Sequence, residues 1–146
     1  SMKLSKSADY ALRIVVYLAQ KKDSDTMPHI SACLGVSYNN LIKLVQKLTQ
    51  AGILSTHQGK YGGVSLNRSA EEISLKDVIA CIEGETQLSE CIQHTTVCSL
   101  VGCCEIRSVL SDVQTSIDQM LHGINIASIV NNQQKRSPTW PMTVVN

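Results

Sequence analysis

The chain has 146 residues, 43% of them apolar, with six cysteines, four tyrosines, one tryptophan and no phenylalanine. That length suits one domain with room for an appended element. No apolar run approaches the roughly 18 residues of a membrane span, and the N-terminal stretch lacks the charged head, apolar run and small-residue cleavage site of a secretory signal. The expectation is a cytoplasmic protein with no membrane partner. Thirteen basic against twelve acidic residues leave a formal charge of +1, which at first sight argues against a nucleic-acid partner.

Ser1 before Met2 reads as a remnant of tag removal and is set aside. Ala8, Leu12, Val15, Val16 and Ala19 then recur at three- and four-residue spacing behind Ser5, a capping residue, and predict an amphipathic helix over 5–21. Pro28 opens a short helical segment with Ile30, Cys33 and Leu34 facing inward, and Gly35 supplies a turn. Ser37 caps a longer helix that buries Leu41, Leu44, Val45 and Leu48 and stops at Gly52. Residues 53–56 and 64–66 flank a glycine-rich loop and read as two strands of a hairpin. This order is that of a winged helix-turn-helix, occupying residues 2–68.

Ser74 and Asp77 have the spacing of a capping box, starting a short helix with Leu75, Val78, Ile79 and Ile82 that ends at Gly84. Residues 85–103 have no sustained period and carry Cys91, Cys98 and Cys103, so something other than a core organises that loop. A long helix over about 104–122 then places Ile106, Val109, Leu110, Val113, Ile117, Met120 and Leu121 on one stripe that needs a partner. The resulting division is a connecting helix and cysteine loop over 69–104, a dimerisation helix over 105–130 and a flexible tail over 131–146. The fold class is mainly α with a small β-hairpin wing.

Charge divides along the same boundary. Residues 1–68 hold nine basic and three acidic groups, a balance of +6, whereas residues 69–146 hold four basic and nine acidic groups, a balance of −5. A reading helix needs polar side chains near its N-terminus for base edges and cations for phosphates. Ser37, Tyr38, Asn39 and Asn40 meet the first requirement and Lys43 and Lys47 the second. At the wing, Gly59, Gly62 and Gly63 let the backbone approach a phosphate ridge while His57, Gln58, Lys60 and Tyr61 reach a groove. Any one of these features alone reads as a solvated helix face or an ordinary turn; their order inside a basic half points to double-stranded DNA. There is no Ser-His-Asp or Cys-His arrangement and no phosphate-binding glycine loop, so no enzyme is expected.

Residues 6–13 (KSADYALR), 36–54 (VSYNNLIKLVQKLTQAGIL), 59–66 (GKYGGVSL) and the cysteines of 91–104 resemble the winged-helix iron–sulfur repressors of the NsrR, IscR, RirA and CymR group, the NsrR-like branch above all. The resemblance covers residues 2–130. It implies a homodimeric repressor of a palindromic operator whose long C-terminal helices cross to form the dimer. Gln58 stands where the family often has Arg before the wing glycine, which implies a different promoter preference.

Cys91, Cys98 and Cys104 follow the family's three-cysteine spacing with one extra residue in the first gap, and Cys103 is a spare. Converging thiolates suit an iron–sulfur cluster. Zinc and metal-free redox thiols are the competing readings, although the paired Cys-x-x-Cys knuckles of zinc sites are missing. The resemblance also addresses the fourth ligand. The position that carries a histidine in IscR-like members is Arg107 here, and Asp9 matches the aspartate that NsrR-like members supply from the opposite subunit, so 4Fe-4S is favoured over 2Fe-2S. As an acid in a first helical turn, Asp9 is also explained by the macrodipole alone. His94 is a lesser candidate, and Cys33 and Cys81 fall on apolar faces and read as core. The expected signal is nitric oxide or redox or iron status; a cluster-free thiol or cysteine-metabolism regulator and an iron-responsive regulator are the alternatives.

Overall fold

The structure is a computed structural model, described here for residues 3–60, 62–85, 87–88, 92 and 103–139. Among these residues there are six helices and one two-stranded hairpin. Helix α1 (Lys6–Lys21) is the centre of the molecule. Its Ser5 cap accepts from the Ala8 amide, and Lys22 closes it in the left-handed conformation at φ 59°. The unbroken buried run Ile14 to Ala19 faces every direction, because α1 is packed by neighbours on all sides rather than lying on a surface.

Thr26 caps α2 (Met27–Leu34), with Pro28 in the first turn, where its missing N–H costs no hydrogen bond. Gly35 takes φ 64° and turns the chain into α3 (Tyr38–Gln50), whose Ser37 cap accepts from the Asn40 amide. Strands β1 (Leu54–His57) and β2 (Gly63–Leu66) pair antiparallel, with Leu54 opposite Leu66 and His57 opposite Gly63. Residue 25 extends this hairpin: the Asp25 amide donates to the Val64 carbonyl at 3.0 Å and the Val64 amide to the Asp25 carbonyl at 2.9 Å. The wing is thus fastened to the connection between α1 and α2.

Helix α4 (Leu75–Glu83) begins with both halves of its capping box formed, Ser74 and Asp77 exchanging hydrogen bonds of 3.0 Å. Helix α5 (Glu105–Gly123) packs on α4, yet Gln114 is its single fully buried residue. Ile106, Val109, Val113 and Met120 are exposed, Ile106 by 70% and Met120 by 69%. Two backbone bonds of 2.9 Å, Leu75 amide to Ile124 carbonyl and Ile126 amide to Ile73 carbonyl, clip the C-terminal end of α5 to the start of α4.

Helix α6 (Ile126–Arg136) differs from expectation. Residues 131–136, expected as the start of a flexible tail, stay helical to Arg136; the long helix expected over about 104–122 runs to Gly123, so the 105–130 dimerisation segment spans the end of one helix and the start of another. Asn125 caps a new helix by accepting from the Ser128 amide at 2.8 Å, and Ile126 and Val130 anchor it on α1. Residues 131–136 are polar because they are its outer turns, and Lys135 and Arg136 suit a helix C-terminus. No helix among the described residues is long and apolar enough to cross a membrane.

Candidate nucleic-acid interface and cysteine loop

Helix α3 is divided sharply. Leu41, Leu44, Val45 and Leu48 are buried, whereas Ser37, Tyr38, Asn39, Asn40, Lys43 and Lys47 are all exposed on the opposite side. Packing one apolar stripe on α1 and α2 therefore orients the polar stripe outward without further instruction. Ser37 spends its hydroxyl on the cap at 3.3 Å from the Asn40 amide, which leaves it a positioning role at the helix start.

At the wing, His57, Gln58 and Lys60 are exposed, and Tyr61 lies outside the described residues. Gly62 has φ 58°, a turn conformation that disfavours side chains. Gly63 is buried beneath the His57 ring, which a Cβ at residue 63 would overlap. The glycines thus do more than permit a turn: the second one makes room for a side chain of the wing tip.

Sequence reasoning missed Lys6. With Ser7 and Tyr10 of α1 it lines a groove whose other wall is Asn40, Lys43 and Lys47 of α3. The signal lay in the basic tally of the first half, but only the crossing of α1 and α3 brings these cations to one groove.

Of the expected cluster ligands, Cys91 and Cys98 lie outside the described residues, as does His94. Cys103 and Cys104 are described at the start of α5, the first exposed and the second half-buried, and neither forms a disulfide. With Ile92, Arg107 and Ser108 they line a shallow depression. Cysteine sulfurs are the usual donors to an iron–sulfur cluster, so the residue types there suit one. Asp9 sits in the first turn of α1, half exposed, with Oδ2 3.1 Å from Arg13 Nε. The Ser5 amide at the cap of α1 donates to Glu83 Oε1 at 2.7 Å, tying the start of α1 to the end of α4. Among the described residues no three His, Cys, Asp or Glu side chains converge as a metal site.

The two cysteines expected in the core are both half-buried and packed against it. Cys81 Sγ donates to the Lys47 carbonyl at 3.4 Å, and burial pushes its thiol up, partly offset by the Lys47 charge. Cys33 stands beside a polar cluster that the sequence did not reveal. Tyr17 Oη donates to Asp25 Oδ2 at 2.5 Å, and His29 Nδ1 and Lys21 Nζ lie 2.6 and 3.3 Å from the same oxygen. Burial opposes ionisation of Asp25, but the hydrogen bonds from Tyr17, His29, the Thr26 amide and Lys21 outweigh it and hold the carboxyl below its ordinary range. Burial, reinforced by the bond to Asp25, pushes the Tyr17 phenol well above its own.

Comparison with known proteins places this architecture. An NsrR transcriptional regulator of Halalkalibacterium halodurans is 31% identical over 137 residues, covering 92% of this chain and 94% of that one. Protein aau3 of Rhizobium meliloti is 34% identical over 131 residues, 88% of this chain and 85% of its own. Among solved structures, IscR of T. potens superposes with a TM-score of 0.75 at 23% identity over 94% of this chain and 92% of that one. CymR of B. subtilis gives 0.74, also at 23%, over 90% and 98%. These two share the fold, a winged helix, as the helix order and hairpin had indicated. Residues 4–132 match the family model described as Rrf2, iron-dependent transcriptional regulator, and the chain accordingly belongs to the Rrf2 family of transcriptional regulators, which are not enzymes.

Proposed function

We propose that this regulator is a homodimeric repressor that reads a palindromic DNA operator with α3 and the wing, and senses nitric oxide or redox or iron status through an iron–sulfur cluster. The observation that carries the DNA reading is the division of α3, with Tyr38, Asn39, Asn40, Lys43 and Lys47 all exposed opposite a fully buried apolar face. Tyr38, Asn39 and Asn40 read base edges, Lys43 and Lys47 meet phosphates, and His57, Gln58, Lys60 and Tyr61 contact the neighbouring groove. The exposed Ile106, Val109, Val113 and Met120 stripe supports pairing of two α5 helices.

Cys91, Cys98 and Cys104 would hold the cluster, with Cys103 as the spare thiol and Asp9 of the partner subunit as the fourth ligand. A 4Fe-4S cluster would supply an iron bound by an exchangeable carboxylate and thus open to nitric oxide or oxidation. As a ligand Asp9 would bridge the subunits and so would fix the spacing of the two reading helices. Within its own chain Asp9 has Arg13, four residues on, as its ion-pair partner, and without the bridge the lobes would be free to reorient, which would lift repression.

The test is anaerobic purification followed by absorbance, iron analysis and operator binding with and without nitric oxide. Visible charge-transfer bands, bound iron and loss of DNA affinity on nitric oxide addition are expected. Protein that binds duplex but carries no iron would refute the cluster, and protein with iron that shows no salt-dependent affinity for duplex would refute the DNA reading.

A further inference from the structure

We propose that the groove between α1 and α3 seats the phosphate ridge of one DNA strand, which makes the first turns of α1 a third contact beside the reading helix and the wing; this rests on the DNA reading proposed above. The groove, about 490 Å³, is walled by Lys6, Ser7 and Tyr10 on α1 and by Asn40, Lys43 and Lys47 on α3, and no described aspartate or glutamate lines it. Lys6, Lys43 and Lys47 have no ion-pair partner among the described residues. Arg13, Lys21 and Arg68 of the same basic half, by contrast, lie 3.1, 3.3 and 3.8 Å from Asp9, Asp25 and Asp77. Three ammonium groups gathered in one cleft without a counter-charge repel one another, so they cost the fold rather than hold it together, and their lining has the composition of an anion seat.

The acids that come close in the chain do not oppose that anion. Asp9, in the first turn of α1, is paired with Arg13, and Glu83 accepts from the Ser5 amide at 2.7 Å; neither lines the groove. The Ser7 and Tyr10 hydroxyls form no hydrogen bond among the described residues, and each can donate to a phosphate oxygen. Position then selects a duplex over a free anion. An α-helix with its side chains is about 10–12 Å across and the major groove about 12 Å wide, so a helix lying in that groove has a phosphate ridge along its flanks. The cleft runs along one flank of α3, from Asn40 to Gln50, and shares Asn40, Lys43 and Lys47 with the exposed reading stripe. A ridge seated there meets Lys43 and Lys47 on one side and Lys6 on the other.

Phosphate contacts carry no sequence information, so the operator need not be known. The whole chain is titrated onto a short fluorescein-labelled duplex of arbitrary sequence, with anisotropy read from about 50 to about 200 mM salt. Lys6 is exposed, and its replacement should leave the fold intact. Lys6→Ala is expected to lower the slope of log affinity against log salt by about one and the affinity at about 100 mM salt by about three- to tenfold, and Lys6→Arg to restore both. Lys135→Ala removes the same charge from the last turn of α6, outside the groove, and is expected to leave the slope unchanged. A wild-type slope in Lys6→Ala, or an equal loss in Lys135→Ala, would overturn the proposal. If Lys43→Ala lowers the slope and Lys6→Ala does not, the groove fails and the reading helix stands; a wild-type chain with no affinity for the duplex overturns both. Brief acetylation with acetic anhydride needs no variant: with duplex present Lys6 is expected to be shielded together with Lys43 and Lys47 while Lys135 reacts as before, and an unshielded Lys6 rejects the seat.

Discussion

The Tyr17 phenol donates to Asp25 Oδ2 at 2.5 Å, and both side chains are buried. This bond joins the last turns of α1 to the residue whose backbone holds β2 of the wing. Tyr17→Phe removes one donor from a buried carboxylate and is expected to cost about 2 kcal/mol, read as a lower denaturant midpoint at unchanged slope.

The same carboxylate gives stability a pH dependence. Asp25 has a folded pKa below its unfolded value, so its contribution is complete above the unfolded value of about 3.9 and is lost as pH falls through the lower folded one. Asp25→Asn is expected to be less stable than the wild type at neutral pH. The gap between the two should narrow below about pH 4, and thermal unfolding at stepped pH would measure it; a gap that stays constant across that range would show that Asp25 ionisation is not linked to folding.

Much of the DNA-binding lobe was legible in the sequence, because apolar residues at helical spacing follow a side-chain cap. Ser5 and Ser37 cap as their spacing indicates, and so does Ser74 at α4 beyond the lobe. The Tyr17, Asp25, His29 and Cys33 cluster was not legible as a unit: Asp25, His29 and Cys33 follow at four-residue spacing, but Tyr17 joins them only when α1 packs on α2. Helix α6 was not legible as a separate element because Asn131 to Gln134 are polar; the anchors at Ile126 and Val130 lie before that run and carry it along. Of the four cluster ligands expected from spacing and resemblance, the described residues include Asp9 and Cys104.

Capping offers a sharp check on α4. Ser74→Ala removes the acceptor for the Asp77 amide and is expected to cost about 1 kcal/mol, with Ser74→Asp restoring most of it. Equilibrium unfolding of the three proteins side by side would decide it.

Ile106 and Met120 are exposed enough that Ile106→Glu and Met120→Glu should leave the fold of a single chain intact, within about 0.5 kcal/mol. Both are expected to give monomers in sedimentation velocity, with unchanged far-ultraviolet circular dichroism. Dimers in both variants would mean that another surface pairs the chains.

For the reading helix, Lys43→Ala and Lys47→Ala should each weaken binding to operator and to unrelated duplex alike. Each should also reduce the slope of log affinity against log salt by about one. Asn40→Ala, by contrast, should lose affinity chiefly for the operator, which fluorescence anisotropy on the two duplexes separates.

The clip between residues 73–75 and 124–126 makes α5 a lever arm. Its 19 residues rise about 28 Å from that clip to Cys104, at about 1.5 Å each. A tilt of about ten degrees at the clip would carry the cysteine end through about 5 Å, by the same rise. The two hydrogen bonds there, one accepted by the Ile124 carbonyl and one donated by the Ile126 amide, are the point about which any such tilt would turn, and a small change at the cysteine end would reach the α1 and α4 core as torque on that short clip.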